Sequence, residues 1–307
     1  MSKRFLVLGN PIAHSRSPAI HAAFAAQTGI ALAYERKEIP LGQFNEHLRA
    51  LQADGVSGVN VTVPFKVDAF NFANDGAARV TARAALAQAV NTLHFSGAEI
   101  VADNTDGAGL VADITQNLHC PLQGKTVLLL GAGGAALGAA GSLLEAQVAR
   151  LYVLNRSVNK ALALAAQFTH LGAISALTTA NATSIKFDVI INATSAGLTP
   201  TDSAPIWAGL QLNAGGLAYD MMYGAQPTAF MAAFQPSSAL TPDSENCIRC
   251  SDGLGMLVEQ AAEAFYLWHG LRPKTADVIR QIRTQIRADL MALPTLKRTP
   301  NPAANET

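Results

Sequence analysis

A glycine-rich turn between two apolar segments carries the clearest chemical signal in this sequence. Residues 125–156 have the pattern of a strand, a tight turn, an Ala-rich helix and a second strand. Gly131, Gly133 and Ala136 have the G-x-G-x-x-G/A spacing. The first glycine allows the turn, the second lets a pyrophosphate approach bare backbone, and the helix N-terminus directs free N–H groups at the phosphates. The pattern predicts a dinucleotide site.

The residues after the second strand indicate which dinucleotide is bound. NAD sites usually have an acidic residue there, which accepts hydrogen bonds from the ribose 2′-hydroxyl. This sequence has Asn155, Arg156 and Ser157 instead, with Lys160 one helical turn later. An arginine can pair with a 2′-phosphate and stack on adenine, so the sequence favours NADP over NAD. The alternative interpretation is a solvated arginine at the start of a surface helix.

Two serines precede the first predicted helix. Ser17 is followed by Pro18, which favours Ser17 as the N-cap and Pro18 as the first helical residue. Ser15 adds a second hydroxyl beside the free N–H groups of the helix start. This group suits a small anion such as a carboxylate, although capping alone explains part of the pattern.

Polar residues also follow other predicted strands. Asn60 and Thr62 lie near the end of one strand, and Lys66 lies just beyond it. Asn91 is predicted to end a further strand, and Asp106 to open a connecting helix. Ligands of open α/β sheets bind outside the carboxyl ends of the strands. Lys66 could equally be solvated, and Asp106 could simply stabilise the helix dipole, so the residues alone leave both interpretations open.

The elements that position these residues alternate between strands and helices, which predicts mainly parallel sheets covered by helices. Strands are predicted at residues 4–8, 31–39, 56–61, 89–94, 99–102, 127–130, 151–154, 188–192 and 217–221. Helices are predicted at residues 17–28, 44–53, 105–117, 253–269 and 274–290.

Composition allows two globular domains and argues against several classes of protein. Of the 307 residues half are hydrophobic and 14% are charged, and the net charge is zero. Without a long basic run, nucleic acid is not an expected partner. Residues 126–144 carry no charge and are long enough to suggest a membrane span, but their glycines and strand-like opening favour a soluble turn.

Cysteine usage predicts an intracellular protein without a metal centre. Three cysteines cannot form a disulfide framework, and no secretory segment is visible, so the cytoplasm is the expected location. Cys247 and Cys250 form a C-x-x-C, but no second cysteine or histidine pair completes a zinc site. We interpret this pair as incidental and predict no metal site.

Nine motifs together resemble the shikimate dehydrogenase family over nearly the whole chain, to about residue 290. They occur in the order GNPIAHSRSP, GVNVTVPFK, AVNT, DNTDG, GAGGAA, NRS, NATSAG, YDMMYG and DGLGMLVEQ. The resemblance implies NADP-dependent interconversion of 3-dehydroshikimate and shikimate, in the pathway to aromatic amino acids. It also implies an N-terminal α/β substrate domain with a mainly parallel sheet, a Rossmann-type dinucleotide-binding domain, and a cleft between them.

The order of the motifs gives predicted domain boundaries. We expect the substrate-binding and catalytic domain at residues 1–106 and 253–290, and the NADP-binding domain at residues 107–252. Residues 291–307, which are rich in Pro, Asn and Ala near their end, are predicted to be a disordered tail. Closure of the cleft is expected to bring nicotinamide against the substrate and to exclude water.

The resemblance also implies roles for individual residues. The catalytic acid–base pair falls on Lys66 and Asp106. The substrate-binding residues fall on Ser15, Ser17, Asn60, Thr62, Asn91, Tyr223 and Gln260, with ring contacts from Asp106 as well. The cofactor-binding residues fall on Gly131, Gly133, Gly134, Ala135, Asn155, Arg156, Ser157, Lys160, Thr194, Ser195, Gly253 and Met256.

Two alternative functions remain open at this level. A quinate/shikimate dehydrogenase would use more substrates and tolerate NAD, although Asn155 and Arg156 argue against it. A non-catalytic dinucleotide-binding regulator would keep the fold, but it is expected to lose the proton-transfer pair, whereas Lys66 and Asp106 are both present. The expected partner is a small-molecule substrate, with no nucleic acid and no membrane, and the protein is expected to be a monomer or a homodimer.

Overall fold

The computed structural model describes residues 3–76, 78–97, 99–194, 204–235 and 247–292 and contains two six-stranded sheets. The strands are β1 (Lys3–Gly9), β2 (Leu32–Glu38), β3 (Gly58–Val61), β4 (Arg79–Val80), β5 (Thr92–Ser96), β6 (Glu99–Asp103), β7 (Thr126–Leu130), β8 (Arg150–Leu154), β9 (Ile174–Leu177), β10 (Lys186–Asn192), β11 (Gln211–Asp220) and β12 (Arg249–Asp252). The α-helices are α1 (Ser17–Thr28), α2 (Phe44–Ala53), α3 (Lys66–Asp75), α4 (Ala82–Ala87), α5 (Asp106–Ala112), α6 (Gly134–Glu145), α7 (Val158–Phe168), α8 (Thr179–Ala182), α9 (Ala229–Phe234), α10 (Leu254–His269) and α11 (Ala276–Ala292).

The first sheet has the strand order β2-β1-β3-β5-β6-β4 and is mainly parallel. Only β5 runs against its neighbours β3 and β6, because it forms a hairpin with β6. The prediction that Asn91 ends a strand is therefore wrong, since Asn91 directly precedes the first residue of β5. Because β5 is reversed, its beginning lies beside the ends of β3 and β6. Asn91 therefore still lies at the edge of the sheet where it was expected.

The second sheet has the order β12-β11-β10-β7-β8-β9, and all its pairs are parallel. Its central strand β7 is apolar and buried after its first residue, as expected for a strand covered on both faces. The uncharged segment 126–144 forms this strand, the glycine turn and most of α6. Across the described ranges, no helix is both long and apolar enough to cross a membrane.

The connection between the sheets differs from the predicted single helix over 105–117. An α-helix, α5, ends at Ala112 and continues as a π-helical segment, Asp113–Asn117. Asp113 is buried and accepts hydrogen bonds from the Tyr219 hydroxyl at 2.7 Å and from Asn117 Nδ2 at 2.9 Å. These contacts hold the wider turn against β11, and sequence periodicity does not detect them.

The end of the described chain returns to the first sheet. All strands of the first sheet lie within residues 3–103 and all strands of the second within 126–252. Helices α10 and α11 then pack against α1 in one apolar cluster. Helix α11 includes residues 291 and 292, the first two of the predicted tail, whereas residues 293–307 lie outside the described part of the chain.

Candidate active site

The first sheet with helices α1, α10 and α11 forms one lobe, and the second sheet with its helices forms the second lobe. A cleft of about 480 Å³ lies between the two lobes and is lined by residues from both. Many of the predicted site residues contribute to its walls. These are Ser15, Ser17, Asn60, Thr62, Lys66, Asn91, Asp106, Tyr223, Gly253, Met256 and Gln260.

Sheet topology explains why residues so far apart in sequence meet in this cleft. Strands β1, β3 and β6 all end at one edge of the first sheet, and the reversed strand β5 begins there. The turns that follow β1 and β3, the residue that precedes β5 and the first residue of α5 are therefore neighbours. This is the edge at which open α/β sheets bind ligands.

Lys66 and Asp106 form an ion pair in the cleft wall. Lys66 is the first residue of α3, and Asp106 is the first residue of α5. Lys66 Nζ lies 2.6 Å from Asp106 Oδ2. The lysine side chain is 26% exposed and the aspartate side chain 10%, so the pair is open to the cleft on the lysine side. An ammonium has three N–H donors, so Lys66 can hold Asp106 and still donate to a ligand.

An amide holds the second oxygen of Asp106. Asn91 Nδ2 donates to Asp106 Oδ1 at 2.8 Å and to Thr105 Oγ1 at 2.9 Å. The Thr105 N–H donates to Asn91 Oδ1 at 2.9 Å. Gln260 Oε1 lies 3.4 Å from Asn91 Nδ2 and joins the network from α10. Because Asn91 and Thr105 are buried, these bonds fix the carboxylate before a ligand binds.

Asn60 belongs to an adjoining buried network. The Tyr34 hydroxyl donates to Asn60 Oδ1 at 2.6 Å, and Asn60 Nδ2 donates to Thr92 Oγ1 at 3.0 Å. Burial raises the pKa of Tyr34, which keeps its hydroxyl protonated as a donor. The Tyr34 ring stacks on His21 with centroids 4.1 Å apart. Burial, followed by the charge of His269, lowers the pKa of His21 to about 3, so its ring is neutral at neutral pH.

The two serines lie at the start of α1, but not as predicted. Ser17 is the first helical residue, Arg16 has the N-cap position, and no side chain caps the helix. The Ser17 N–H donates to Ser15 Oγ at 3.3 Å, and Ser15 Oγ lies 3.2 Å from Ser17 Oγ. Arg36 donates twice to the Ser15 carbonyl, at 2.9 and 2.6 Å. The loop therefore presents two hydroxyls at an uncapped helix start, which suits an anion.

The second lobe contributes Met221, Met222 and Tyr223 to the cleft wall. Burial raises the pKa of Tyr223, and the nearby charge of Arg16 partly offsets this rise. Arg16 also lines the cleft and pairs with Asp289 of α11 at 2.7 Å. Tyr223 is thus a neutral, protonated side chain that lines the same cleft as the two serines.

The glycine turn lies at the carboxyl end of β7. Gly131 has a φ of 105°, a conformation that glycine adopts without steric cost. Gly133 has the N-cap position of α6 and no side chain caps it. Gly133, Gly134 and Ala135 are exposed, and a Cβ added at either glycine would meet no atom within 4 Å. Bare backbone with free N–H groups is therefore open to a phosphate.

The predicted 2′-phosphate residues lie beside this turn, because β8 pairs with β7. Arg156, Ser157 and Lys160 are exposed after the end of β8. Asn155 Nδ2 donates to the Ser157 carbonyl at 3.0 Å and shapes the start of α7. Two cationic side chains thus follow the strand next to the glycine turn, where a 2′-phosphate is expected.

Thr194 lies on the other side of β7, after the end of β10. Its N–H and its hydroxyl donate to Asn192 Oδ1 at 3.1 and 2.7 Å. A Cβ added at Gly131 would lie 3.1 Å from the Thr194 methyl group, so this loop touches the turn. Ser195 lies outside the described residues.

Helix α6 connects the glycine turn with the ion pair. A Cβ added at Gly138 of this helix would lie 3.7 Å from Asp106 Cβ. Gly253 and Met256, predicted to contact the cofactor, line the same cleft as Lys66. The two halves of the site are therefore contiguous, as hydride transfer between a cofactor and a substrate requires.

Several residues that hold the candidate site residues in place were not found from sequence. Tyr34 and Thr105 hold Asn60 and Asn91, and Arg36 fixes the Ser15 loop. Each is a single polar residue in a strand or turn, without a spacing pattern of its own. Arg16 also lines the cleft, and its position between Ser15 and Ser17 was the only feature of the sequence that could have indicated this.

The cysteine pair that the sequence presents as a C-x-x-C consists of free thiols. Cys247 and Cys250 form no disulfide, and burial raises the pKa of Cys250 to about 11. A thiol with a raised pKa stays protonated at neutral pH and is a poor nucleophile.

Comparisons with known proteins identify the family of this chain. The shikimate dehydrogenase substrate binding domain matches residues 7–93, shikimate / quinate 5-dehydrogenase matches 113–203, and the shikimate 5′-dehydrogenase C-terminal domain matches 253–283. Shikimate dehydrogenase (NADP(+)) of Dechloromonas aromatica is 49% identical over 288 residues, which cover 94% of this chain and 100% of that protein.

Solved structures share the fold over almost the whole chain. Shikimate 5-dehydrogenase of Thermus thermophilus, in complex with NADP(H) and shikimate, is 31% identical with a TM-score of 0.78, over 92% of this chain and 99% of that one. An Ael1 enzyme from Pseudomonas putida is 39% identical with a TM-score of 0.79, over 91% of this chain and 98% of that one. The chain therefore belongs to the shikimate dehydrogenase family of NADP-dependent oxidoreductases.

Proposed function

We propose that this protein interconverts 3-dehydroshikimate and shikimate with NADP(H), through a proton-transfer pair formed by Lys66 and Asp106. The observation that carries the proposal is the 2.6 Å contact between Lys66 Nζ and Asp106 Oδ2 in the wall of the cleft. The names of the relatives support the reaction and the cofactor. Because those relatives are enzymes, they give no support to the alternative of a non-catalytic regulator.

In the reduction, Lys66 supplies the proton. NADPH, when bound, supplies the hydride that is added to the ketone carbon of 3-dehydroshikimate. The carbonyl oxygen then gains negative charge, which the Lys66 ammonium stabilises and neutralises by donating one proton. Asp106 orients the ammonium and accepts a hydrogen bond from a substrate hydroxyl. In the oxidation the same groups take the proton back.

The remaining polar residues of the first lobe position the substrate. Ser15 and Ser17, with Thr62 nearby, hold the substrate carboxylate at the uncapped start of α1. The ring hydroxyls contact Asn60, Asn91 and Gln260, and Tyr223 closes the pocket from the second lobe. The hydrogen-bond networks around Asn60 and Asn91 restrict these amides to one orientation, which reduces the ordering cost of binding.

The second lobe holds the cofactor. Gly131 forms the turn and donates its N–H to the Leu154 carbonyl at 2.8 Å, and Gly133, Gly134 and Ala135 would hold the pyrophosphate with their backbone N–H groups. Asn155, Arg156, Ser157 and Lys160 would hold the 2′-phosphate. Thr194 and Ser195 would belong to a loop beside the cofactor, and Gly253 and Met256 would contact its nicotinamide end. We place the substrate domain at 1–106 and 253–290 and the NADP domain at 107–252, in a cytoplasmic monomer or homodimer.

Steady-state kinetics test this function and its alternative. The purified protein is assayed with shikimate and with quinate, each with NADP and with NAD. We expect the highest kcat/KM with shikimate and NADP. Comparable values with quinate and NAD would assign the broader quinate/shikimate activity instead. No oxidation of NADPH with 3-dehydroshikimate would contradict the proposal.

A further inference from the structure

Arg283 of the last helix contacts two segments of the second lobe directly behind the cleft wall. Its guanidinium makes a bidentate ion pair with Asp252, in which Nη1 lies 2.6 Å from Oδ2 and Nη2 contacts Oδ1. Nη1 also donates to the Gly224 carbonyl at 3.0 Å. Asp252 is the last residue of β12, and Gly224 directly follows Tyr223 in the cleft wall. One side chain therefore joins the end of a strand to the loop that carries Tyr223.

The two segments that Arg283 joins are also in direct backbone contact. The Gly253 N–H donates to the Met222 carbonyl at 3.0 Å. A Cβ added at Gly253 would lie 2.2 Å from the Met221 carbonyl oxygen, so no larger residue fits without displacing the loop. Asp252 Oδ1 accepts the Leu254 N–H at 3.2 Å, which attaches the start of α10 to the same carboxylate.

Arg283 reaches this wall from the first lobe. On its own helix, Ile282 and Ile286 are buried in the apolar cluster that contains Ile20 and Phe24 of α1. Tyr223 packs against the same cluster as a partly buried member. Helix α1 begins with Ser17, the proposed carboxylate-binding residue. Helix α11 thus connects the part of the first lobe that holds the serines with the loop that holds Tyr223.

The chemistry of the contact requires an arginine. Asp252 is 7% exposed, and hydrogen bonds to its carboxylate raise the pKa of Arg283. A planar guanidinium can make the two parallel bonds to the carboxylate and a third bond to a carbonyl at the same time. A lysine keeps the charge near Asp252, but its single nitrogen cannot maintain all three contacts.

We propose that Arg283 is a positioning residue for substrate binding, which sets the location of Tyr223 relative to Ser15 and Ser17. This inference rests on the proposed function, in which Tyr223 lines the substrate pocket. Arg283 does not line the cleft itself and acts through the Tyr223–Gly224 loop and through Asp252, which it joins to that loop. Loss of the contacts of Arg283 with Asp252 and Gly224 leaves this loop less firmly held and weakens substrate binding. The glycine turn for the cofactor is unaffected.

The test compares Arg283→Lys with a matched control on the same helix, Arg280→Lys. Among the described residues, the Arg280 side chain forms an ion pair only with the exposed Asp277, one helical turn away. We expect R283K to raise the KM for 3-dehydroshikimate and the calorimetric Kd for shikimate about 3- to 10-fold, the effect of one or two lost hydrogen bonds. The KM for NADPH should change less in R283K than the values for substrate, and its melting temperature should fall modestly because contacts to the buried Asp252 are lost. All values of R280K should stay near wild type. Unchanged shikimate affinity in R283K would overturn the inference.

A double-mutant cycle with Tyr223→Ala separates positioning from general destabilisation. If Arg283 acts through Tyr223, R283K should have little further effect on shikimate affinity in the Y223A background. Full additivity of the two effects would overturn the inference. Because R283K should also lower the melting temperature, all four proteins of the cycle are measured at a temperature where each is folded, and the same non-additivity is required. If the wild-type protein binds no shikimate, the proposed function itself is contradicted. If the wild type binds shikimate normally and R283K binds it with the same affinity, only this inference is contradicted.

Discussion

The strands of the first sheet that reach the cleft end in buried polar side chains that hydrogen-bond one another, whereas β7 and β8 of the second sheet end in a glycine turn and exposed side chains. Asn91, Thr105 and Asp106 are all buried and connected in the first lobe. Arg156 and Lys160 in the second lobe are exposed. The first edge is therefore organised before a ligand binds, as transition-state stabilisation requires, while the side chains after β8 are open to a ligand. Substitutions within the buried network should lower kcat or stability, and those after β8 should raise the KM for the cofactor.

The largest expected effect is that of Lys66→Ala. Loss of the proton donor should lower kcat by at least about a hundredfold, with a much smaller change in the KM of either substrate. Lys3→Ala, at the opposite edge of the same sheet, is the control and should keep wild-type kinetics. Steady-state assays in both directions measure the effect. A K66A variant with near-normal turnover would remove Lys66 from the mechanism.

The second lobe should respond differently in Arg156→Ala. Loss of charge-assisted hydrogen bonds to the 2′-phosphate should raise the KM for NADPH about 10- to 100-fold, with kcat and the KM for 3-dehydroshikimate nearly unchanged. The KM for NADH should change far less, because NADH has no 2′-phosphate. Arg150→Ala, at the other end of β8, is the matched control. An equal loss with NADPH and NADH would contradict the assignment.

A substitution of Asp103, the last residue of β6, tests whether polar contacts stabilise this edge of the first sheet. Burial alone would raise the pKa of this carboxyl, but Arg83 at 2.7 and 2.5 Å lowers it below 3.8, with help from Thr81 and the Asn104 N–H. A carboxyl whose pKa is lowered by folding contributes stability above its unfolded pKa and loses it as the pH falls through the folded value. Asp103→Asn should therefore lower the free energy of unfolding at pH 7 by about 1–3 kcal/mol.

Urea unfolding at several pH values measures this contribution. The difference between wild type and D103N should be constant above about pH 5 and should narrow as the pH falls below about 4. Asp75→Asn, at the exposed end of α3, is the control and should show no comparable difference. A difference that grows in acid would contradict the sign of the pKa shift.

A smaller effect is expected from the histidine behind the Asn60 network. Folding lowers the pKa of His21 to about 3, mainly through burial, so this residue contributes stability above the unfolded pKa near 6.5 and loses it as the pH falls below that value. The slope is about 1.4 kcal/mol per pH unit for each proton. His21→Phe should flatten the dependence of unfolding free energy on pH between 6.5 and 5, as urea titrations can show. An unchanged slope would contradict the neutral, buried state of His21.

The sequence was sufficient to predict the glycine turn, but not the buried networks of the first lobe. The glycine spacing and the residues after β8 depend on local backbone geometry, so the order of residues 125–160 is sufficient to predict them. In the first lobe the polar residues were found, but their partners Tyr34 and Thr105 were not, because these contacts depend on strand pairing between distant segments. The N-cap prediction at Ser17 failed for a local reason, since the helix starts one residue earlier than the Ser-Pro pattern indicates.

Other differences arise from tertiary contacts. The π-helical segment follows from the buried contact of Asp113 with Tyr219, which lies far away in the sequence. Strand β4 has two residues, Arg79 and Val80, which is too short for any alternation to be visible. Arg283 occurs in a helix that has the pattern of an ordinary amphipathic surface element, and only the fold brings it against Asp252.

The most direct test of the central claim is a comparison of kcat for K66A, Asp106→Ala and the double variant. If an ammonium and a carboxylate 2.6 Å apart act as one proton-transfer unit, the double variant should be about as slow as K66A alone. Losses that multiply in the double variant would show that the two residues act independently, and would contradict the mechanism.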